Sequence, residues 1–352
     1  MAKTRVIGLD IGSTAVRAAE LELSGPRGRA AATLVRYAEE PLPAGAVQDA
    51  QVAEPHTVAS ALKELWRRGK FSSKEVVLGV GNPRVIVREL ELPWLPMHQL
   101  RASLPFQVQE LLPMPVEEAL LDYYPTGEFA GPSGRTLQGM LVAASRDTVR
   151  VNVMAAESAG LKPQMVDLNA FALLRAMSRG ELADQVVAMV DVGARVTNVI
   201  IARRSVPRFA RTLPSGGQDV TDALAGHLHV AVHEAENLKR EIGVGFSVSP
   251  ELSSGAAAIG EVTRGLVEAV RNTFVYYQGN NPGAGIDVVL LTGGGAQLPG
   301  LGQYLATASR LPVAIGDPLA TLKVGADVSA HLPAGGSALM ALPVGLAFGV
   351  AA

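Results

Sequence analysis

Val187-Ala188-Met189-Val190-Asp191-Val192-Gly193 is the stretch whose reading decides the fold. Four apolar residues run into an aspartate, a Val-Gly step follows, and Thr197 opens a second apolar run, Val199-Ile200-Ile201-Ala202. Runs of this length around a glycine-bearing turn predict two buried strands joined by a tight hairpin, with a carboxylate at its mouth. The same device stands near the start, in Val6-Ile7-Gly8-Leu9-Asp10-Ile11-Gly12-Ser13-Thr14. The two aspartates are about half a chain apart. One chain with two copies of one turn predicts two related lobes whose acidic hairpins face a common ligand.

The composition bounds what such a ligand and its surroundings can be. At 352 residues the chain can bury a large core and divide into two domains. Hydrophobic residues make up 48% and charged ones 18%, which excludes a disordered majority. The formal net charge is -2 and the arginines are scattered, so no basic field draws nucleic acid or anionic lipid. There is no cysteine, which removes disulfides and thiolate metal sites and suits a reducing compartment. Met1-Ala2-Lys3-Thr4-Arg5 enters a strand directly, leaving no room for a signal peptide. Ala338 to Ala352 is an apolar run of about 15 residues, short of the roughly 20 a bilayer needs, and Pro343 interrupts it. A buried terminal helix and a cytoplasmic protein are expected.

Outward from the two turns, the pattern predicts strand, turn and strand over residues 5–23, with Gly12 supplying a positive φ. Val58, Leu62, Leu65 and Trp66 mark an amphipathic helix from His56 to Arg68, stopped at Gly69. Strands at 76–80 and 85–92 flank Gly81-Asn82-Pro83-Arg84. A helical face of Met97, Leu100, Leu104, Val108 and Leu111 follows, in which Pro105 predicts a kink or a fresh start. Leu120 to Tyr124, a loop over 127–134 and the strand Leu137 to Ser145 complete a compact unit inserted into the first lobe. Trp94, Leu95, Phe106 and Leu112 are expected to be mostly its core. Asp147 is expected to cap a helix ending at Gly160, and Pro163 to Asp167 and Asn169 to Ser178 form a strand and a helix. Beyond the second hairpin come helical patterns from Asp219 to Ile242 and a loop-rich stretch from Gly243 to Gly260. An amphipathic helix through Leu266, Val270, Phe274 and Tyr277 and a buried strand from Ile286 to Leu291 follow.

Three elements carry chemistry. The Asp10 turn offers a carboxylate and a run of backbone N–H groups at Gly12, Ser13 and Thr14. Such a nest binds phosphate oxygens, and the carboxylate can hold magnesium through water. Read alone it is a plain hairpin with a satisfied aspartate; its duplicate at Asp191 raises the reading above that. The third element is Leu290-Leu291-Thr292-Gly293-Gly294-Gly295-Ala296-Gln297-Leu298-Pro299-Gly300, a strand ending in three glycines before a helix. Bare backbone there lets a flat ligand lie close, and a helix N-terminus favours phosphate. The glycine spacing is not the dinucleotide fingerprint. His229 and His233 have the i, i+4 spacing of a metal pair, but no third ligand at suitable spacing accompanies them.

Asp-x-Gly turn, second Asp-x-Gly turn and Gly-Gly-Gly strand end, in this order, resemble the actin-like ATPases. The resemblance implies an α/β fold of two duplicated, ribonuclease H-like lobes closing on ATP and Mg2+. By it, Asp10 and Asp191 organise magnesium, and Gly12, Ser13 and Thr14 hold the β-phosphate. Gly193 and Thr197 take the γ side, and Gly293, Gly294 and Gly295 the adenosine. Arg17 stands where many relatives carry a phosphate-contacting lysine; its planar fork alters the contact geometry. Glu236 and Lys239, three apart on one helix face, are assigned to the ribose or adenine, or else form a solvated ion pair. Asp167 is the acidic residue of the first crossover available to orient an attacking water, or else a turn residue. The second turn, Gly193-Ala194-Arg195-Val196-Thr197, lacks the second glycine and neighbouring hydroxyl of fast ATPases, so binding is expected ahead of turnover.

The further agreement is with the PilM family of type IV pilus assembly. It rests on Leu42-Pro43-Ala44-Gly45, Leu111-Leu112-Pro113-Met114-Pro115, Asp167 before Phe171-Ala172, and Ala235-Glu236-Asn237-Leu238-Lys239-Arg240. That resemblance implies an FtsA/PilM-type inserted subdomain. It also implies a groove between that subdomain and the first lobe that takes the N-terminal cytoplasmic tail of a PilN-like inner-membrane protein, within the pilus inner-membrane assembly complex. It implies recruitment to the inner face of the membrane only through partners, no nucleic acid, and leaves self-association open. The expected division is a first-lobe core of 1–72, 146–185 and 343–352 and an inserted subdomain of 73–145. The second lobe divides into a core of 186–220 and 284–342 and a cap of 221–283. An FtsA-like membrane-associated filament protein is the alternative, disfavoured because Gly345 to Ala352 carries no basic amphipathic tail. A small-molecule kinase of the same fold and a secretion-system relative also remain.

Overall fold

A computed structural model describes residues 3–25, 31–131, 134–178, 180–329 and 336–349. In the first half, β1 (Lys3–Ile11), β2 (Ala15–Ser24) and β3 (Ala31–Pro41) form an antiparallel meander. A small hairpin of β4 (Val47–Gln48) and β5 (Gln51–Val52) leads to α1 (Pro55–Gly69). Pro55 suits the first turn of α1, and left-handed Lys70 closes it by donating its N–H to the Trp66 carbonyl at 3.1 Å. The chain returns as β6 (Glu75–Val80), parallel to β1.

Next come β7 (Ile86–Pro93), α2 (Met97–Val108), β8 (Ala119–Gly131), β9 (Gly134–Ser145) and α3 (Arg146–Ser158). β10 (Lys162–Leu168) and α4 (Asn169–Met177) complete this half. The second half begins with the meander β11 (Val186–Val192), β12 (Thr197–Arg203) and β13 (Val206–Leu213). Helices α5 (Gly217–Leu228), α6 (Val232–Ile242) and α7 (Ser253–Asn280) follow. After β14 (Val288–Thr292), α8 (Leu301–Ser309) and β15 (Val313–Ile315), the chain ends with β16 (Lys323–Val324), α9 (Ala326–Ser329) and α10 (Ala341–Ala347).

The duplication is explicit in the sheets. One has the order β10-β6-β1-β2-β3-β16 and the other β15-β14-β11-β12-β13. Apart from β16, both read as an antiparallel meander extended by two parallel strands. β1, β6 and β10 are parallel in one lobe, and β11, β14 and β15 in the other. Parallel strands are buried on both faces. That is why Val76-Val77-Leu78 and Val187 to Val190 are continuous apolar runs, fully buried here. Helix α4 lies between the sheets with nearly every side chain buried, and α10 packs against α4 and β1. The backbones meet so closely that a Cβ on Gly8 would overlap the Pro343 carbonyl, and one on Gly345 the Ala172 carbonyl. Among the described residues no helix is long and apolar enough to cross a membrane.

Several expectations are corrected. β6 pairs with β1 and β10, so the inserted unit does not begin at 73: its own sheet, β7-β9-β8, starts at Ile86. Residues 323–324 add a strand to the first-lobe sheet by pairing with β3 and do not belong to the second core. β8 runs through the glycine-rich stretch to Gly131, because every residue except Thr126, where the register shifts, finds a partner on β9; positions 132 and 133 of the expected loop lie outside the described residues. α2 continues unbroken through Pro105, since the carbonyl that loses its partner belongs to exposed Arg101 and faces water. Phe106 is 84% exposed and Trp94 38%, so neither is core; Leu100, Leu104, Val108 and Tyr123 fill that core instead. Asp147 stands in the first turn of α3, paired with Arg150, and Ser145 occupies the cap position. α7 begins at Ser253 within the expected loop, and Gly255 is small because a Cβ there would lie 2.9 Å from Leu224 Cδ1. The terminal helix spans 341–347, and residues 350–352 lie outside the described residues.

Gly345→Val is therefore expected to destabilise the protein by at least about 2–3 kcal/mol, the usual cost of overpacking, or to prevent folding. Gly294→Ala, whose Cβ would meet its nearest neighbour at 3.5 Å, is expected to be tolerated. Thermal denaturation of the two variants side by side checks the contrast.

Candidate functional site: a cleft between two acidic hairpins

Asp10 and Asp191 occupy the same position in their lobes, one residue before the end of the first strand. In each hairpin the glycine two residues later closes the turn with one backbone bond. Gly12 donates to Ala15 O at 3.0 Å, and Gly193 to Val196 O at 2.9 Å. Neither glycine has a positive φ, contrary to expectation for Gly12. What excludes a side chain is proximity: a Cβ would lie 3.0 Å from Ala15 O in one turn and 2.8 Å from Val196 O in the other.

The residue paired across from each aspartate is also equivalent. Arg17 faces Asp10 and Asn198 faces Asp191 in the two registers. Asn198 donates to Asp191 Oδ2 at 3.3 Å and accepts from Thr212 Oγ1 at 3.0 Å. Arg17 places Nη1 4.0 Å from Asp10 Oδ2, while Nε and Nη2 grip Glu39 at 3.0 and 3.2 Å. The guanidinium thus lines the cleft with most of its fork already committed.

Both hairpins open on one cleft of about 620 Å³. Its walls include Asp10, Gly12, Ser13, Thr14 and Arg17 from the first lobe, and Asp191, Gly193, Glu236, Lys239 and Gly293 to Gly295 from the second. The two carboxylates are buried and close enough to interact. Desolvation pushes Asp10 up to about 6, with Asp191 and Glu39 adding to the rise and Arg17 opposing it. Asp191 also rises to about 6 through desolvation, opposed by its Asn198 hydrogen bond and by Arg17.

On the second lobe, turn 193–196 is docked on the start of α5. Gly217 N–H donates to Gly193 O at 2.8 Å and Gln218 N–H to Ala194 O at 2.7 Å. Gly216 must be glycine, because a Cβ would lie 2.5 Å from the Gly193 carbonyl. Lys239 is buried, bonded to Glu236 at 2.6 Å, to Thr221 Oγ1 at 2.8 Å and to Gly217 O at 3.1 Å. The Glu236–Lys239 pair is therefore a cleft wall and not a solvated surface pair. Of the three glycines, Gly293 and Gly295 are bare because they abut β11: side chains there would strike the Val192 carbonyl and the Val192 side chain. Only Gly294 has open space. A short 3-10 turn, residues 294–297, separates them from α8, whose cap is Gly300.

Two predicted residues do not reach the cleft. Thr197 is fully buried, its hydroxyl donating to Ser215 O at 2.8 Å, because strand alternation turns position 197 away and presents Val196 and Asn198. Asp167 accepts from the Arg175 guanidinium and from Leu168 N–H, and lies outside the cleft lining. His229 ends α5 in the left-handed region while His233 lies on α6, so their spacing is not that of one helix. Missed from sequence were Asn152, Asn169, Asn198 and Thr221, which line the cleft, as does His233, considered there only as half of a metal pair. Asn198 was findable: it stands seven after Asp191, as Arg17 stands seven after Asp10.

Known proteins are similar to this chain. A family model described as "Type IV pilus assembly protein PilM" matches residues 8–350. A solved "PilM-PilN type IV pilus biogenesis complex" is similar at 26% identity and TM-score 0.83, covering 98% of each chain. MreB5 of Spiroplasma citri, solved bound to ADP, has the same fold at 14% identity and TM-score 0.55, covering 97% of this chain and 94% of that one. Cell division protein FtsA of Bacillus subtilis (strain 168) is 19% identical over 208 residues, 53% of this chain; the match spans 47%, about half, of FtsA. The two duplicated lobes are thus an actin-like fold, and the chain belongs to the type IV pilus assembly protein PilM family.

Proposed function

We propose that this chain is an ATP-binding adaptor of type IV pilus assembly that takes the N-terminal tail of a PilN-like inner-membrane protein, with nucleotide state coupled to lobe closure. The observation that carries the nucleotide half is the meeting of two buried aspartates, each at the mouth of an identical hairpin, in one cleft. Burying two like charges together opposes folding unless something cationic compensates. Among the described residues no cluster of three or more histidine or acidic side chains could hold a metal alone. That donor set fits Mg2+, which keeps its waters and binds through one or two carboxylates plus phosphates.

In this reading Asp10 and Asp191 hold the hydrated cation, and Gly12, Ser13 and Thr14 offer N–H groups to the β-phosphate. Gly193 and its turn take the γ side. Arg17 adds positive charge beside Asp10, and Glu236, Lys239 and the open backbone at Gly294 receive the adenosine. Closure of the lobes is a hinge motion around the ligand, with α4 between the sheets. With Asp167 tied to Arg175, no carboxylate of the first crossover is offered as a base, which supports binding ahead of fast turnover.

The partner half rests on the solved PilM–PilN relative and on the inserted unit. Trp94, Phe106, Leu111, Leu120, Tyr124 and Phe129 are large apolar side chains of that unit left on the surface. Tyr124 reaches across to the first lobe, its ring 5.1 Å from that of Phe171 on α4. β8 and β10 are both sheet edges, with free backbone groups for an added extended peptide. The reading divides the chain into two lobe cores, an inserted unit around β7-β9-β8, and a cap of α5 to α7.

Magnesium-ATP is expected to raise the melting temperature, since ligand at about 100 times its dissociation constant adds about 2.7 kcal/mol. Asp10→Ala should abolish the shift; an undiminished shift removes Asp10 from the site. For the partner, immobilised PilN-type tail peptides should retain the protein, and failure to retain it with or without nucleotide refutes the adaptor reading.

A third expectation concerns pH. Each aspartate holds its proton to about pH 6 when folded, against an ordinary value of 3.8. The folded chain thus binds more protons than the unfolded one between those values, and stability falls as pH rises through about 6. Ligand-free Asp191→Asn should be more stable than the native protein at pH 7.5, by on the order of 2–3 kcal/mol. The advantage should vanish near pH 4, as melting curves across that range would read.

A further inference from the structure

We infer that Glu39, braced by Tyr37, is a positioning residue: it holds the Arg17 guanidinium off Asp10 and so keeps the Asp10 carboxylate open to the hydrated magnesium of a bound nucleotide. The inference rests on the nucleotide reading above. Register puts Asp10, Arg17 and Glu39 in one row across β1, β2 and β3. Arg17 engages Glu39 with its Nε and Nη2 edge, at 3.0 and 3.2 Å, and Tyr37 Oη donates to Glu39 Oε2 at 3.1 Å. The remaining arm, Nη1, stops 4.0 Å from Asp10 Oδ2, beyond hydrogen-bond length.

A guanidinium this close to a buried carboxylate should be drawn into contact, because attraction between opposite charges grows as water is excluded. The Asp10 side chain is 8% exposed and that of Glu39 36%, yet the more exposed carboxylate holds the fork. Two parallel N–H···O bonds decide it, since a bidentate grip on a planar fork fixes direction as well as distance. Tyr37 fixes the carboxylate in turn: burial pushes its phenol far above the ordinary range, so it stays a donor. The other lobe carries the same row in neutral form. Asp191, Asn198 and Thr212 stand opposite one another on β11, β12 and β13, and the third member again bonds the second. Each aspartate is thereby left without a full counter-charge, in one lobe because a carboxylate withholds the arginine and in the other because an amide replaces it.

What the restraint protects is a cation site. Arginine in contact with Asp10 would take the oxygens that a hydrated magnesium ion needs and set a like charge beside it. Held back, Nη1 keeps its place beside the first turn, where a Cβ on Gly12 would lie 3.5 Å from it. Its free N–H groups are then left for phosphate oxygen, and the Asp10 oxygens for the waters of the metal. In this role Glu39 acts through Arg17 alone.

The test uses the full chain and measures ADP affinity by calorimetric titration, once with magnesium and once with EDTA. In the native protein magnesium should strengthen binding. In Glu39→Ala, Arg17 should close on Asp10 and cut that enhancement by about tenfold, within the usual range of coupling between two ligands. Tyr37→Phe should cut it less, and an undiminished value there takes Tyr37 out of the brace. Removing the guanidinium as well, in Glu39→Ala/Arg17→Met, should restore the enhancement, which a merely structural role for Glu39 would not do. A ligand-free crystal structure of Glu39→Ala should show Arg17 bonded to Asp10. Glu40→Ala, which breaks the neighbouring pair with Arg68, should leave the enhancement native. Full enhancement in Glu39→Ala overturns the proposal, as does a double variant that fails to recover it, or native ADP binding indifferent to magnesium. If the native protein binds neither ADP nor ATP under any of these conditions, the nucleotide reading itself falls and this one with it.

Discussion

Two carboxylates shut away from water at the ends of parallel strands constrain everything around them. Asp10 and Asp191 sit where the central strand of each sheet stops, and neither is neutralised by a full ion pair. Arg17 approaches Asp10 only at 4.0 Å because Glu39 holds its fork. Asn198 gives Asp191 a neutral hydrogen bond and no charge. A fold that tolerates this gives up stability at the cleft. The supporting structure then has to be stiff, and it is: each turn is closed by its own backbone bond, and the second is bolted to α5 through two more.

The lobes are copies in topology but not in chemistry. Both present glycine backbone, at the ends of β6 and β14, but the first adds the Asn169 side chain just after β10 and the second the Glu236–Lys239 pair of its cap. Its cap adds a buried lysine whose ammonium satisfies Glu236, Thr221 and a carbonyl of α5 at once. Such a network is stable only when every member is paired. That network fixes the cap-side wall of the cleft in place.

Between the lobes α4 is a shared core element and not a linker. Its first residue lines the cleft, its body packs on both sheets, and Phe171 meets Tyr124 of the inserted unit. That unit also touches the second lobe, where Arg208 on β13 comes within 3.9 Å of Glu89 on β7. The inserted unit thus rests on both lobes, so a change in their relative angle alters its seat. A partner bound at that unit and a ligand bound in the cleft act on the same packed elements.

The sequence by itself determined the duplication, the two aspartates, the strand-end glycines and the actin-like architecture, because these are periodic or local. Continuous apolar runs announce buried parallel strands, and a repeated Asp-x-Gly step needs no partner to be seen. Tertiary structure alone decided which side chains share a wall. Asn152 and Asn169 carry no motif, and they meet Asp10 only because β1, β6 and β10 lie side by side despite wide separation in the chain. Thr197 and Asp167 had persuasive positions, but strand alternation turned one inward and Arg175 claimed the other. β6 was assigned to the inserted unit for the same reason: neighbours along the chain are read directly, whereas hydrogen-bonded neighbours across a sheet are fixed only when the whole core packs.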